Sequence, residues 1–154
     1  LDFAYWYQQL LAESLGKKGK GLLPIVSIGP RDHHSLLQLY LDGPKDKMFY
    51  ILSSKNLYNF KVGKNYLDKK MKFLKNKKLN KVILSQRNAF VETLRKKNMP
   101  FREIHVNNLS EEATGELFSY FMLETAMIGK LININPFDQP SVESVKILTK
   151  KYLS

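Results

Sequence analysis

Three groups of polar side chains interrupt otherwise apolar segments, and each is of a kind that can move protons. Gln9 and Glu13 stand four residues apart among Tyr5, Trp6, Leu10 and Leu11. That spacing puts both side chains on one face of a helix, about 6 Å apart. Two readings follow: a partly buried carboxylate suited to general-base work, or an exposed helix carboxylate beside the lysine-rich loop that follows. The second group is Asp32-His33-His34, which opens a helical segment after an apolar run. A histidine there could shuttle a proton, its tautomer fixed by Asp32 or a backbone group; alternatively Asp32 is a helix N-cap and nothing more. The third is Phe137-Asp138-Gln139-Pro140 with Glu143 and Lys146 behind it. Its plainest reading is a Glu143–Lys146 pair at i,i+3, worth about 0.2–0.5 kcal/mol.

Other chemistries are absent from the sequence. With no cysteine there is no disulfide, zinc–thiolate site or cysteine nucleophile. Ser14 and Ser35 lack the strained strand-to-helix elbow of a nucleophilic serine. Gly16–Gly21 is not a phosphate-binding P-loop, because Leu22 and Leu23 stand where Lys-Ser/Thr would be and a strand-like run follows. A histidine-based metal site would have only His105 to add to His33 and His34.

The elements that must position these groups can be read from periodicity. Phe3, Trp6, Tyr7, Leu10 and Leu11 predict an amphipathic helix from Phe3 to Leu15, ending in a flexible basic loop, Gly16–Gly21. Leu23–Ile28, Lys47–Ser53 and Phe101–Val106 read as strands. Helices are predicted over Asp32–Leu41, with Leu36, Leu37, Tyr40 and Leu41 inward, and over Asn80–Lys97, with Ile83, Phe90, Val91 and Leu94 inward. Ser110 is a candidate N-cap, with Glu111 and Glu112 complementing the dipole of a helix that reaches about Gly129. Pro140 suits the first turn of a last helix ending near Tyr152. Alternating strand and helix predict an α/β fold: a mostly parallel sheet with helices on both faces, a three-layer sandwich of flavodoxin-like type. Ligands in such folds sit at the carboxyl ends of the strands.

The chain has 154 residues, room for one ordinary domain, and carries a net charge of +11. Nine lysines fall between Lys61 and Lys81 against one acid, Asp68. A nucleic-acid surface is one reading; a solvated basic face is the other, favoured by scarce arginine and by aromatics that are not interleaved as a stacking platform. No specific nucleic acid and no membrane is the expectation. The most apolar stretch, Leu117–Ile134, holds Glu124, Lys130 and Asn133 and is not a membrane span. No targeting segment is visible at Leu1, which with the lack of cysteine fits a cytoplasmic location.

In this order, the three groups resemble motifs of the phosphoglucose isomerase (glucose-6-phosphate isomerase) family, in its second, C-terminal sugar-isomerase domain. Gln9-x-x-x-Glu13-Ser14-Leu15-Gly16-Lys17 resembles the stretch around the family's catalytic base. Asp32-His33-His34-Ser35-Leu36-Leu37-Gln38 resembles its histidine loop, with Gln38 setting the register so that His34 aligns with the ring-opening histidine. This loop resembles bacterial members more than animal ones. Gly129 through Lys146 looks like the C-terminal signature, departing from it at Pro140-Ser141. The resemblance runs from residue 3 to about 153.

What the resemblance implies is an aldose–ketose isomerase. Glu13 would be the proton-abstracting base, His34 and Lys146 would assist ring opening, and Gln9 and Gln139 would contact a sugar-phosphate substrate. It implies no metal or organic cofactor, and a homodimer in which the histidine serves the neighbouring subunit's site. The family's first domain, with its Gly-Gly-Arg core, phosphate-gripping hydroxyls and enediolate-stabilising arginine, has no counterpart in these residues. The expectation is therefore a fragment, residues 1–154 forming the C-terminal domain, inactive alone. The alternative is a non-catalytic sugar-phosphate-binding domain.

Overall fold

The computed structural model describes residues 1–55, 60–63 and 68–154, and they form two compact units. The first comprises Leu1–Val26 and Thr114–Ser154, the second Ser27–Ala113.

In the first unit, α1 (Asp2–Leu15) opens the chain. It packs with the part of α5 (Glu111–Leu131) that follows Thr114. Phe3 and Trp6 meet Phe118 edge to face, with centroids 5.3 and 4.3 Å away, and Tyr7 lies against Phe121 at 4.2 Å. One turn further along, Leu11 and Leu15 are buried with Phe121, Thr125 and Ile134. α5 ends in a Schellman cap: Ile134 N–H donates to Gly129 O at 2.8 Å and Asn133 N–H to Lys130 O at 3.2 Å, with Asn133 left-handed at φ 56°. The chain reverses there and starts α6 (Pro140–Leu153), with Pro140 in its first turn and no buried residue.

In the second unit, β1 (Phe49–Ser54) and β2 (Phe101–Val106) pair in parallel from Phe49↔Phe101 to Ser54↔Val106. α4 (Leu79–Lys96) lies between them in sequence and buries Val91 and Leu94. A second Schellman cap stops it: Met99 N–H donates to Leu94 O at 2.9 Å and Asn98 N–H to Arg95 O at 3.1 Å, with Asn98 at φ 53°. Met99 is thereby turned into the core, and Pro100 leads into β2. Glu103 of β2 takes ion pairs from both Arg87 and Arg95 of α4. The remaining elements are two short helices, α2 (Arg31–Ser35) and α3 (Leu37–Asp42), and a 3₁₀ helix over Lys69–Leu74.

The three-layer flavodoxin-like sandwich predicted from the sequence is not what forms. The described residues are 58% helical, and their only sheet has two strands. The predicted strand Leu23–Ile28 is the main reason. It joins no ladder among the described residues; Pro24 carries no N–H, and its carbonyl accepts from the Gln8 side chain at 2.6 Å. The predicted helix Asp32–Leu41 is likewise two helices that meet at Leu36. Ser110 does accept a hydrogen bond, at 3.2 Å, from the N–H of Ala113 in the first turn of α5. Met71 and Phe73 are exposed among the basic side chains over 69–81, and Lys64 of the lysine run lies outside the described residues. No helix among the described residues is long and apolar enough to cross a membrane.

Candidate active site

On α1 the four-residue spacing acts as the helix geometry dictates: Gln9 Nε2 donates to Glu13 Oε1 at 2.8 Å. A second amide reaches the other oxygen from far along the chain, Gln139 Nε2 donating to Glu13 Oε2 at 3.0 Å. Each carboxylate oxygen thus has one amide donor and keeps a further lone pair. Glu13 is exposed, so of the two readings of this residue the buried carboxylate is not the one realised. Its orientation comes from hydrogen bonds.

Gln139 is delivered by the turn after the α5 cap. Gly129 permits that turn to fold back, since a Cβ there would lie 3.1 Å from Pro136 Cβ and 3.3 Å from Ile134 O. Asn135 then knits the turn, its Oδ1 accepting from Phe137 N–H and its Nδ2 donating to Asp138 Oδ2, both at 3.1 Å. Gln139 is the N-cap residue of α6, yet its side chain makes no cap hydrogen bond. It is directed to Glu13.

Sequence reasoning placed Lys17 in a flexible basic loop, and the structure corrects this. Its side chain is 8% exposed, with Nζ 2.8 Å from Asp138 Oδ1 and donating to Asn135 O at 2.7 Å. The Lys17 hydrogen bond, reinforced by its charge and by Asn135, holds the Asp138 carboxyl below the usual carboxylate range. Lys20 Nζ donates to Ile132 O at 2.9 Å. The signal was present: Lys17 is four residues after Glu13, and Asp138 is adjacent to Gln139.

Lys146 is exposed on α6, its Nζ 2.6 Å from Glu143 Oε1. That is the i,i+3 pair read from the sequence, and it joins Lys146 to its own helix rather than to Glu13.

His34 lies in the second unit, exposed on α2. Asp32 is neither its N-cap nor a partner that orients a histidine. Its carboxylate accepts from Ile28 N–H at 2.7 Å and from the Arg31 guanidinium at 2.8 and 3.1 Å, and Arg31 in first place, then Ile28, holds it below the ordinary carboxylate range. His33 faces inward, its ring 5.0 Å from that of Phe90. It borders a mostly apolar pocket of about 190 Å³ with Leu37, Leu41, Gln86, Phe90 and Thr93. Burial pushes the His33 imidazole below its ordinary value, and neighbouring Asp32 opposes the shift. His105 lies with Nδ1 3.0 Å from Ser53 Oγ, and among the described residues no three His, Asp or Glu gather as a metal ion would need.

The structure therefore joins Gln9, Glu13 and Gln139 into one hydrogen-bonded set. Lys146 is held by Glu143 on α6, and His34 belongs to the other unit.

No protein-family model matches the chain. It is 38% identical over 158 residues to the probable glucose-6-phosphate isomerase of Methanococcus maripaludis, covering 99% of this chain and 34% of that protein. It is also 38% identical over 157 residues to the glucose-6-phosphate isomerase of Campylobacter jejuni, covering 99% of this chain and 39% of the relative. Among solved structures, a hypothetical protein from Thermus thermophilus superposes with a TM-score of 0.89 at 30% identity, covering 99% of this chain and 38% of that one. A glucose-6-phosphate isomerase from Chlamydia trachomatis gives a TM-score of 0.77 at 17% identity, a likeness of fold, over 98% of this chain and 32% of the other. The chain spans about a third of the length of the relatives it matches.

Proposed function

We propose that this chain, which has family-level homology to the glucose-6-phosphate isomerases of many taxa and not to a bacterial type in particular, acts as the C-terminal domain of such an enzyme. The reaction is the interconversion of glucose 6-phosphate and fructose 6-phosphate through a cis-enediolate. Glu13 takes the proton from C2 as the C–H electron pair enters the enediolate, and returns it to C1. His34 and Lys146 move the protons at O1 and O5 that open the ring. Gln9 and Gln139 hold the base and meet the sugar. General acid–base steps of this kind contribute typically about 10²–10⁴-fold each.

The observation that carries the reading is the clamp on Glu13, whose two oxygens accept from amides of two separate segments. A base that must serve two adjacent carbons benefits from a fixed plane. Lys146 would leave Glu143 to reach the sugar ring, an exchange that costs little for an exposed pair. His34 would serve the site of a second subunit, in a homodimer of the full-length protein. Phosphate binding and enediolate stabilisation fall to the part of the relatives that this chain does not span.

Glu13→Gln in the full-length protein tests the assignment. Turnover should fall by at least ~10²-fold, together with solvent-proton exchange at C2. Near-normal turnover and exchange would remove Glu13 from the role of base, and a protein that binds sugar phosphate without any exchange would be a binding domain instead.

A further inference from the structure

A hydrogen bond between exposed side chains competes with water and is weak alone. The Gln139–Glu13 bond is of this exposed kind. Something other than that bond must hold the Gln139 backbone where its amide reaches Glu13. The turn 135–138 immediately precedes it, and a single side chain holds both ends of that turn. Lys17 Nζ bonds the carbonyl of Asn135 at 2.7 Å and the carboxylate of Asp138 at 2.8 Å. It is more than nine-tenths buried, whereas its neighbour Lys18 is exposed.

The two cross-links run side by side. Glu13 and Lys17 are about one helical turn apart in sequence, and their partners Gln139 and Asp138 are consecutive. A buried ammonium without its carboxylate and carbonyl partners would be costly, so the turn is fixed as firmly as the lysine is. We infer that Lys17 is a positioning residue for the isomerase reaction, acting through the turn 135–138 to keep Gln139 on Glu13. This rests on Glu13 being the base. Lys17 touches no reacting atom.

The experiment is a double-mutant cycle on turnover in the full-length protein, with Lys17→Met, Gln139→Ala, the double variant and Lys20→Met. Lys20 is the control because it ties the neighbouring Ile132 carbonyl without touching the turn that precedes Gln139. Lys17→Met should lower kcat about tenfold and leave KM within about twofold, as loss of base positioning does. In the Gln139→Ala background it should cost no more than about a further twofold, because the two act as one unit. Lys20→Met should keep turnover within about twofold of the parent. Independent, multiplying losses from Lys17 and Gln139, or an equal loss from Lys20→Met, would overturn the inference and leave only a structural tie. If Lys17→Met fails to fold, Asp138→Asn breaks the same tie from its exposed end and enters the cycle in its place. Retained turnover in Glu13→Gln would instead remove Glu13 from the role of base, and absence of turnover in the unmutated full-length protein would sink the isomerase assignment, so the failures are told apart.

Discussion

Gln139 stands at the N-cap of α6 and spends its side chain on Glu13, 126 residues earlier, at 3.0 Å instead of on its own helix. N-cap side chains normally satisfy an orphan N–H at the helix start, at a gain of about 0.5–2 kcal/mol. Forgoing that bond costs the helix something, and the site receives the amide. Gln139→Ser should therefore raise the thermal stability of the chain, because serine can cap α6, while lowering turnover of the full-length protein several-fold. Melting curves and steady-state kinetics on the same variant would show the opposed signs.

The 154-residue chain alone should convert no measurable glucose 6-phosphate in a coupled assay. It spans about a third of the relatives' length, and phosphate binding is assigned to the rest. Detectable conversion by this polypeptide would place a complete site within it.

His33 makes the second unit acid-sensitive. Its folded pKa lies below the unfolded value of about 6.5, because burial penalises the imidazolium. The unfolded state then binds more protons as pH falls, so the stabilisation is full above about pH 6.5 and is lost progressively as pH falls through the folded value. The groups facing the ring are Asp32 beside it, Leu37 and Leu41 of α3, and Gln86, Phe90 and Thr93 of α4; only Asp32 carries charge. His33→Phe should flatten the pH dependence of the melting temperature between about pH 5 and 7. An unchanged slope would mean that other groups titrate there.

Asp138 contributes the same sign at lower pH. Its folded value lies below the unfolded one, near 3.9, chiefly through Lys17. Its stabilising effect is complete above about pH 4 and fades only as pH falls through the depressed value. Amide exchange over 135–138 should accelerate there, and Asp138→Asn should show the faster exchange already at neutral pH.

Asn98 tests the Schellman cap behind α4. At φ 53° it tolerates a conformation that costs other L-residues about 1–2 kcal/mol. Asn98→Gly should be near neutral in a urea titration, and Asn98→Ala destabilising by about 1 kcal/mol. Equal effects would show that the backbone can leave the left-handed region without losing the turn of Met99 into the core.

What the sequence revealed follows physical range. Helix boundaries at Ser110 and Pro140 were legible because capping and proline chemistry are local. Parallel pairing of the two strands was legible from the helix between them. The Leu23–Ile28 run was misread because an apolar run records burial preference and not whether a neighbouring strand exists to pair with it. The Gln9–Glu13 face was legible from spacing, but the arrival of Gln139 depends on a reversal after α5 that spacing within α1 cannot encode. Lys17 was passed over for a related reason: its spacing from Glu13 gains meaning only once Gln139 and the adjacent Asp138 are known to arrive, and until then a lysine among glycines reads as solvated.

Gly129 sits two residues before Leu131, the last residue of α5, where helix propensity favours alanine by about 0.8–1.0 kcal/mol. A methyl there would press on Pro136 and shift the chain segment that hands Gln139 to Glu13. Selection for a sturdier helix and selection for a well-aimed base thus oppose each other at one atom, and a stabilising screen blind to turnover would choose the wrong residue.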